Sequence, residues 1–189
     1  MSEQTGAPDA LRGATTPSAP SAPPTVREAR FPDDTADVSR LVDAYLRQTE
    51  SEKVTRRLAS PLEGGRLPDR YQAEVDDPAR AFSGADVLLA ALPTGPVGVV
   101  VLTAQPSGGG EVKRFWVDPA ARGVGAGRLL LDAVADRVDG PLRLSVWRWR
   151  DDALRSYRRA GFVEVPSWEA REQLVCLERP ARDRPGRTL

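Results

Sequence analysis

The chain has 189 residues, with 27 Lys or Arg against 27 Asp or Glu, so no net field draws it to nucleic acid or to a membrane surface. The single cysteine, Cys176, excludes an intramolecular disulfide, and the lack of any histidine excludes a histidine base, Ser-His-Asp or Cys-His catalysis and histidine-bearing metal sites. The length suits one domain with a real core, and no apolar run approaches a membrane span or a signal core, so a cytoplasmic protein is expected.

Residues 1–24 are rich in Ala, Pro, Ser, Thr and Gly and have hardly any large apolar side chain. Such a segment cannot offset its ordering entropy and is expected to be a disordered tail. Val26 to Phe31 reads as a short strand. Asp33 or Asp34 can cap a helix running to about Gln48, with Val38, Leu41, Val42, Tyr45 and Leu46 on one face. Glu50 to Leu67 is polar and reads as a helical turn plus a mobile loop. Pro68 to about Phe82 suggests a second helix, with Pro78 near its end. Val87 to Leu92 and Val97 to Ala104 read as a hairpin turned by Pro93-Thr94-Gly95-Pro96. Ser107-Gly108-Gly109-Gly110 then leads into an aromatic and β-branched strand, Glu111 to Asp118.

The next stretch is Arg122-Gly123-Val124-Gly125-Ala126-Gly127-Arg128, and it opens a helix predicted to reach Asp139. Leu130, Ala133, Val134 and Val138 recur there at helical spacing, and Gly140-Pro141 ends it. A glycine-rich turn between strand and helix leaves N–H groups without helical partners at the positive end of the helix dipole, which makes an anion site. The alternative is a tight connection in which glycine serves packing alone. Two other phosphate loops fail on spacing. The dinucleotide pattern would need a glycine at Arg128 or Leu130, and the triphosphate loop needs Gly-Lys-Ser/Thr. Leu142 to Trp147 alternates as a strand, and Asp151 or Asp152 starts a helix ending at Ala160-Gly161. Phe162 to Val165 and Gln173 to Glu178 read as closing strands, with a charged tail over residues 180–189. The order βααβββαβαββ describes a mixed α/β sheet of about seven strands with about four helices.

The loop resembles the acyl-coenzyme A loop of the GNAT N-acetyltransferase superfamily, R/Q-x-x-G-x-G/A, with Arg122, Gly125 and Gly127 at its three fixed places. Val117-Asp118-Pro119 is similar to the ending of that family's fourth strand. Ala153 to Phe162, A-L-R-S-Y-R-R-A-G-F, is similar to its late helix and following strand. The resemblance implies an acyl-CoA N-acyltransferase domain over about residues 25–179. It also implies acetyl-CoA as co-substrate, no metal, and acetyl transfer to a small-molecule or peptide amine.

By that resemblance the pyrophosphate lies on Arg122, Gly123, Val124, Gly125, Ala126, Gly127 and Arg128. The backbone of Phe115, Trp116 and Val117 holds the pantetheine arm, and Tyr157 protonates the departing thiolate. Glu111 stands eleven positions before Arg122, where the histone-acetylating branch of the family has its base. The alternative is a solvated strand end. Asp118 is a weaker candidate, because V-D-P serves the turn. Many members carry Asn seven positions before the tyrosine. Here Arg150 stands there, which puts that contact in doubt and offers a phosphate ligand instead. Trp147-Arg148-Trp149-Arg150 interleaves aromatics with cations, yet one short run makes no nucleic-acid face, and Trp147 or Trp149 can wall the acceptor pocket. The acceptor pocket is expected from Gln48 to Tyr71 and the late hairpin around Ser167. Cys176, without a histidine to activate it, is read as a small core residue, so direct transfer in a ternary complex is expected. The competing reading is a GNAT-fold acyl-CoA sensor without turnover. Neither nucleic acid nor membrane is an expected partner, and the protein is expected as a monomer or homodimer.

Overall fold

Two apolar runs, Asp86–Leu92 and Gly95–Ala104, build the centre of the sheet. Strands buried on both faces lose their polar alternation, and these two do. Val87, Leu89, Val99 and Val101 pack on one face with Val38, Leu41, Val42 and Leu46, while Leu88, Val100 and Leu102 pack on the other with Leu130 and Val134. The computed structural model describes residues 22–106 and 108–181. The tails expected over residues 1–24 and 180–189 therefore lie almost wholly outside the described residues.

The strands are β1 (Thr25–Glu28), β2 (Asp86–Leu92), β3 (Gly95–Ala104), β4 (Gly110–Val117), β5 (Leu142–Trp147), β6 (Val163–Val165) and β7 (Leu174–Arg179). The helices are α1 (Thr35–Thr55), α2 (Asp69–Asp76), α3 (Pro78–Ala81), α4 (Ala126–Ala135) and α5 (Asp151–Arg159). The strands form one sheet in the order β1-β2-β3-β4-β5-β7-β6. All pairs are antiparallel except β4 with β5. This is the mixed sheet of seven strands that was expected, covered by α1 on one face and α4 on the other. Among the described residues, no helix is long and apolar enough to cross a membrane.

Three local expectations are corrected. The first helix continues past Gln48 to Thr55, because Thr49 and Glu50 are buried and Glu50 is ion-paired to Lys53 at 2.7 Å. The stretch expected as one helix over Pro68 to Phe82 is two. Asp77 breaks it, accepting a hydrogen bond from the Arg80 N–H, and Pro78 takes the first position of α3. The helix after the glycine loop ends at Ala135 rather than Asp139.

Asp34 precedes α1, but its side chain caps no helical N–H. It accepts two hydrogen bonds from Arg27, at 2.6 and 2.7 Å, and one from the Arg30 N–H at 2.6 Å. The Arg27 fork pulls the Asp34 pKa down from 3.8 to about 2, against the opposing effect of burial. A lowered folded pKa gives stability that is present above the unfolded pKa and lost as pH falls through the folded one. Arg27 is 44% exposed and water screens the pair, so the contribution is about 1–2 kcal/mol rather than the full shift. Asp34→Asn should therefore destabilise the protein at pH 7, and the difference should shrink between about pH 5 and pH 2. Urea midpoints of both proteins across that range measure it, and an unchanging difference would remove Asp34 from the acid response.

Candidate active site

β4 and β5 are joined at only two register positions, Gly110 with Leu142 and Glu111 with Arg143. Beyond them no ladder connects the two parallel strands, and a cleft of about 1400 Å³ opens. Both strands end at the cleft, so α4 and α5, which follow them, present their N-termini to it. Ligands of α/β sheets sit at such a switch point, outside the carboxyl ends of the strands.

β4 carries a bulge. Val99 opposes Trp116 while Val101 opposes Lys113, so three steps on β4 face two on β3, and Arg114 takes φ +49°. The bulge turns Arg114 toward α2, where Glu74 accepts two hydrogen bonds from it at 2.5 Å. Phe115, Trp116 and Val117 follow along the open edge and line the cleft.

The glycine loop stands at the cleft mouth. Gly123 and Gly125 have φ +85° and +93°, and a Cβ on either would meet no atom within 4 Å. Their need for glycine is conformational. Gly127 differs, since a Cβ there would lie 3.2 Å from the Phe115 ring. Its bare Cα lets α4 close on β4. Gly125 leads into α4 in the left-handed conformation with no side-chain cap. Leu129 is the first residue whose N–H reaches back to a helical carbonyl, that of Gly125 at 3.1 Å. The N–H groups before it therefore remain available to an anion. A phosphate fits this cradle: open space, free donors and two flanking arginines. Arg128 is 81% exposed beside Asp132. Arg122 donates to the Val117 carbonyl at 3.2 Å and lies over the Trp116 ring. Val124 is exposed and does not line the cleft.

Tyr157 lies on α5 with its ring 5.7 Å from Phe115 and 5.8 Å from Phe162. Burial pushes its phenol well above the usual range, Tyr45 adds to this, and the Arg150 charge opposes it. Tyr157 thus holds its proton at neutral pH. Glu111 lies at the closed end of the cleft. Its carboxylate accepts from Gln105 at 3.2 Å and is 3.8 Å from both Lys113 and Arg143.

Arg150, expected near the phosphates, points the other way. It donates to Glu52 at 2.7 Å and to Thr49 at 2.9 Å, and stacks over Tyr45. A phosphate contact would have to break this ion pair. Asp118 accepts from Trp116 and Arg40, each within 3.1 Å, and belongs to the turn. Trp147 and Trp149 stack at 4.6 Å and both wall the cleft.

Sequence reasoning placed Tyr45 only on the apolar face of the first helix and did not single out Glu52, Arg114 or Glu169, yet all four line the cleft. Glu52 bridges α1 to the loop after β5, accepting from Trp149 as well as Arg150. Its partners are 97 and 98 residues away along the chain, a separation that no local spacing shows. Burial alone would raise the Glu52 carboxyl, but hydrogen bonds from Arg150, Gln48 and Trp149 outweigh it and leave the pKa low. Glu169 is likewise lowered, with Arg171 and Ser145 overcoming burial.

Residues 83–164 match the family model described as the acetyltransferase (GNAT) domain. No curated protein matches the chain. Among solved structures, the GNAT-family acetyltransferase of Staphylococcus aureus Mu50 superposes with TM-score 0.60 at 15% identity, covering 84% of this chain and 99% of that one. The GNAT domain of S. lividans PAT gives 0.57 at 23%, covering 82% and 89%. Salmonella typhimurium yncA, solved with its cofactor acetyl-CoA, gives 0.58 at 16%, covering 86% and 96%. These likenesses concern the fold, which many acceptors share. Residues 83–164 thus match the GNAT acetyltransferase domain, within a chain that has the acyl-CoA N-acyltransferase fold.

Proposed function

We propose that the protein is an acetyl-CoA-dependent N-acetyltransferase that moves the acetyl group to a primary amine by direct attack in a ternary complex. The parting of β4 from β5, with the glycine loop at one end of the gap and Tyr157 inside it, carries the reading. The coenzyme supplies the activated thioester. The N–H groups that open α4 bind the pyrophosphate, with Arg122 and Arg128 beside them. The open edge of β4 at Phe115 to Val117 holds the pantetheine arm and donates to the thioester oxygen.

The attacking nitrogen must be neutral, and an alkylamine has a pKa of about 10. Glu111 takes its proton, directly or through water. Glu52 and Glu169, with lowered pKa values, are weaker bases. As the C–N bond forms and the C–S bond breaks, Tyr157 gives its proton to the leaving sulfur. Cys176 is 1% exposed on β7 beside Ser167, which supports transfer without an acyl-cysteine.

A thiol-release assay with acetyl-CoA against amines, amino acids, aminoglycosides and peptides tests this function. Tight coenzyme binding without thiol release in any arm would replace it with non-catalytic binding.

The cradle has its own test. Gly125→Glu brings a carboxylate to the phosphate position, and acetyl-CoA affinity should fall at least about 10-fold, or 1.4 kcal/mol. Gly125→Asn tolerates the positive φ without adding charge and should lose much less. Equal calorimetric affinities in folded Gly125→Glu and wild type would move the pyrophosphate elsewhere.

A further inference from the structure

The acceptor side of the cleft is a ladder of cations and aromatic rings. Arg150 lies over Tyr45, Arg114 lies between Tyr45 and Tyr71, and Arg70 lies 4.5 Å over Tyr71. Each inner cation has a carboxylate. Glu52 takes Arg150 and Glu74 takes Arg114. The outer rung does not. Among the described residues, the Arg70 guanidinium has one polar partner, the Tyr71 hydroxyl at 3.1 Å, and no carboxylate. It lies exposed on α2 and lines the cleft.

Across the cleft the tryptophan wall is already covered by cations. Arg56 lies 4.4 Å from the Trp149 ring, and Arg171 and Lys53 lie within 6.0 Å of Trp147. Those π faces, which could have held an ammonium group, hold the protein's own charges instead. Arg171 and Lys53 are themselves paired with Glu169 and Glu50. Among the described residues, the cations left on these walls without a carboxylate are therefore Arg70 and Arg56, and an anionic group would meet them at the cleft.

We propose that the acceptor is a small primary amine whose own molecule carries a carboxylate, a free amino acid, and that Arg70 holds this carboxylate at the cleft rim. Arg70 and Phe115 line the same cleft, so an amine whose carboxylate sits on Arg70 extends from the rim toward the thioester strand. The proposal rests on the acetyltransferase reading above.

The test compares leucine, glutamate and lysine with their carboxamides, and with spermidine, in the thiol-release assay. The wild type should favour the free acids over the amides by about 10-fold in kcat/KM. Arg70→Ala should raise KM for the acids about 10-fold, leave kcat and the amide KM nearly unchanged, and Arg70→Lys should restore part of the preference. Equal use of acid and amide, a preference for spermidine, or a parallel loss for acid and amide in Arg70→Ala would overturn the assignment. Should no amine release thiol, the acetyltransferase reading fails separately. Calorimetric titration of acids and amides into the acetyl-CoA-loaded protein then decides the carboxylate site. A preference for the acid that Arg70→Ala abolishes supports it, and the lack of any preference overturns it.

Discussion

Tyr157→Phe is expected to lower turnover roughly 100-fold while leaving acetyl-CoA affinity nearly intact. A positioned proton donor typically contributes that much to the rate or more. The ring, which packs between Phe115 and Phe162, stays in place, so the cleft wall keeps its shape. The binding loss is confined to one hydrogen bond, about 1 kcal/mol. Burial that raises the Tyr157 pKa works in two ways. It keeps the phenol protonated over the whole neutral range, so a proton is always available. It also makes the phenol a weaker acid, so the transfer depends on a close hydrogen bond to the departing thiolate. The decisive measurement is coenzyme binding and thiol release on the same two proteins. Equal turnover in both would take Tyr157 out of the mechanism.

Glu111→Gln should cost a factor of about 100 or more at neutral pH, and less as the pH rises. The substitution keeps the size of the side chain and its contact with Gln105, and it removes the proton acceptor. Near pH 10 a growing share of the amine is already neutral, so the base becomes dispensable and the two pH–rate profiles should converge. Lys113 and Arg143, both 3.8 Å from the carboxylate, lose a partner in this variant. A calorimetric acetyl-CoA titration and an unfolding midpoint therefore accompany the kinetics. A constant ratio of rates from pH 7 to pH 10 would assign the proton to water or another group.

The sheet centre was legible because its signals are local. Short apolar runs within residues 86–92 and 95–104, the second rich in valine and both bounded by Gly and Pro, specify strands. The loop at residues 122–128 was legible for the same reason, since glycine spacing and a following amphipathic helix are read within one turn. The end of α1 was not. Thr49, Glu50, Glu52 and Lys53 look solvated in sequence, yet Thr49 and Glu50 are buried, and a salt bridge within the helix makes that burial tolerable. Nor does the sequence show why residue 127 is glycine, because only the approach of Phe115 reveals that its missing Cβ serves helix–sheet packing.

By itself the sequence showed the strands, the strand–loop–helix with its glycine-rich turn, and, through its family resemblance, the mixed-sheet fold and the candidates Glu111 and Tyr157. Tertiary structure alone decided where the cations go. Arg150 turns to Glu52, Arg114 turns through a bulge to Glu74, and Arg70 is left without a carboxylate. Electrostatic pairing depends on distance in space and not on separation along the chain. Which arginine is neutralised, and which remains to meet a substrate, is settled only when β4 and β5 part and α1 and α2 close over the gap.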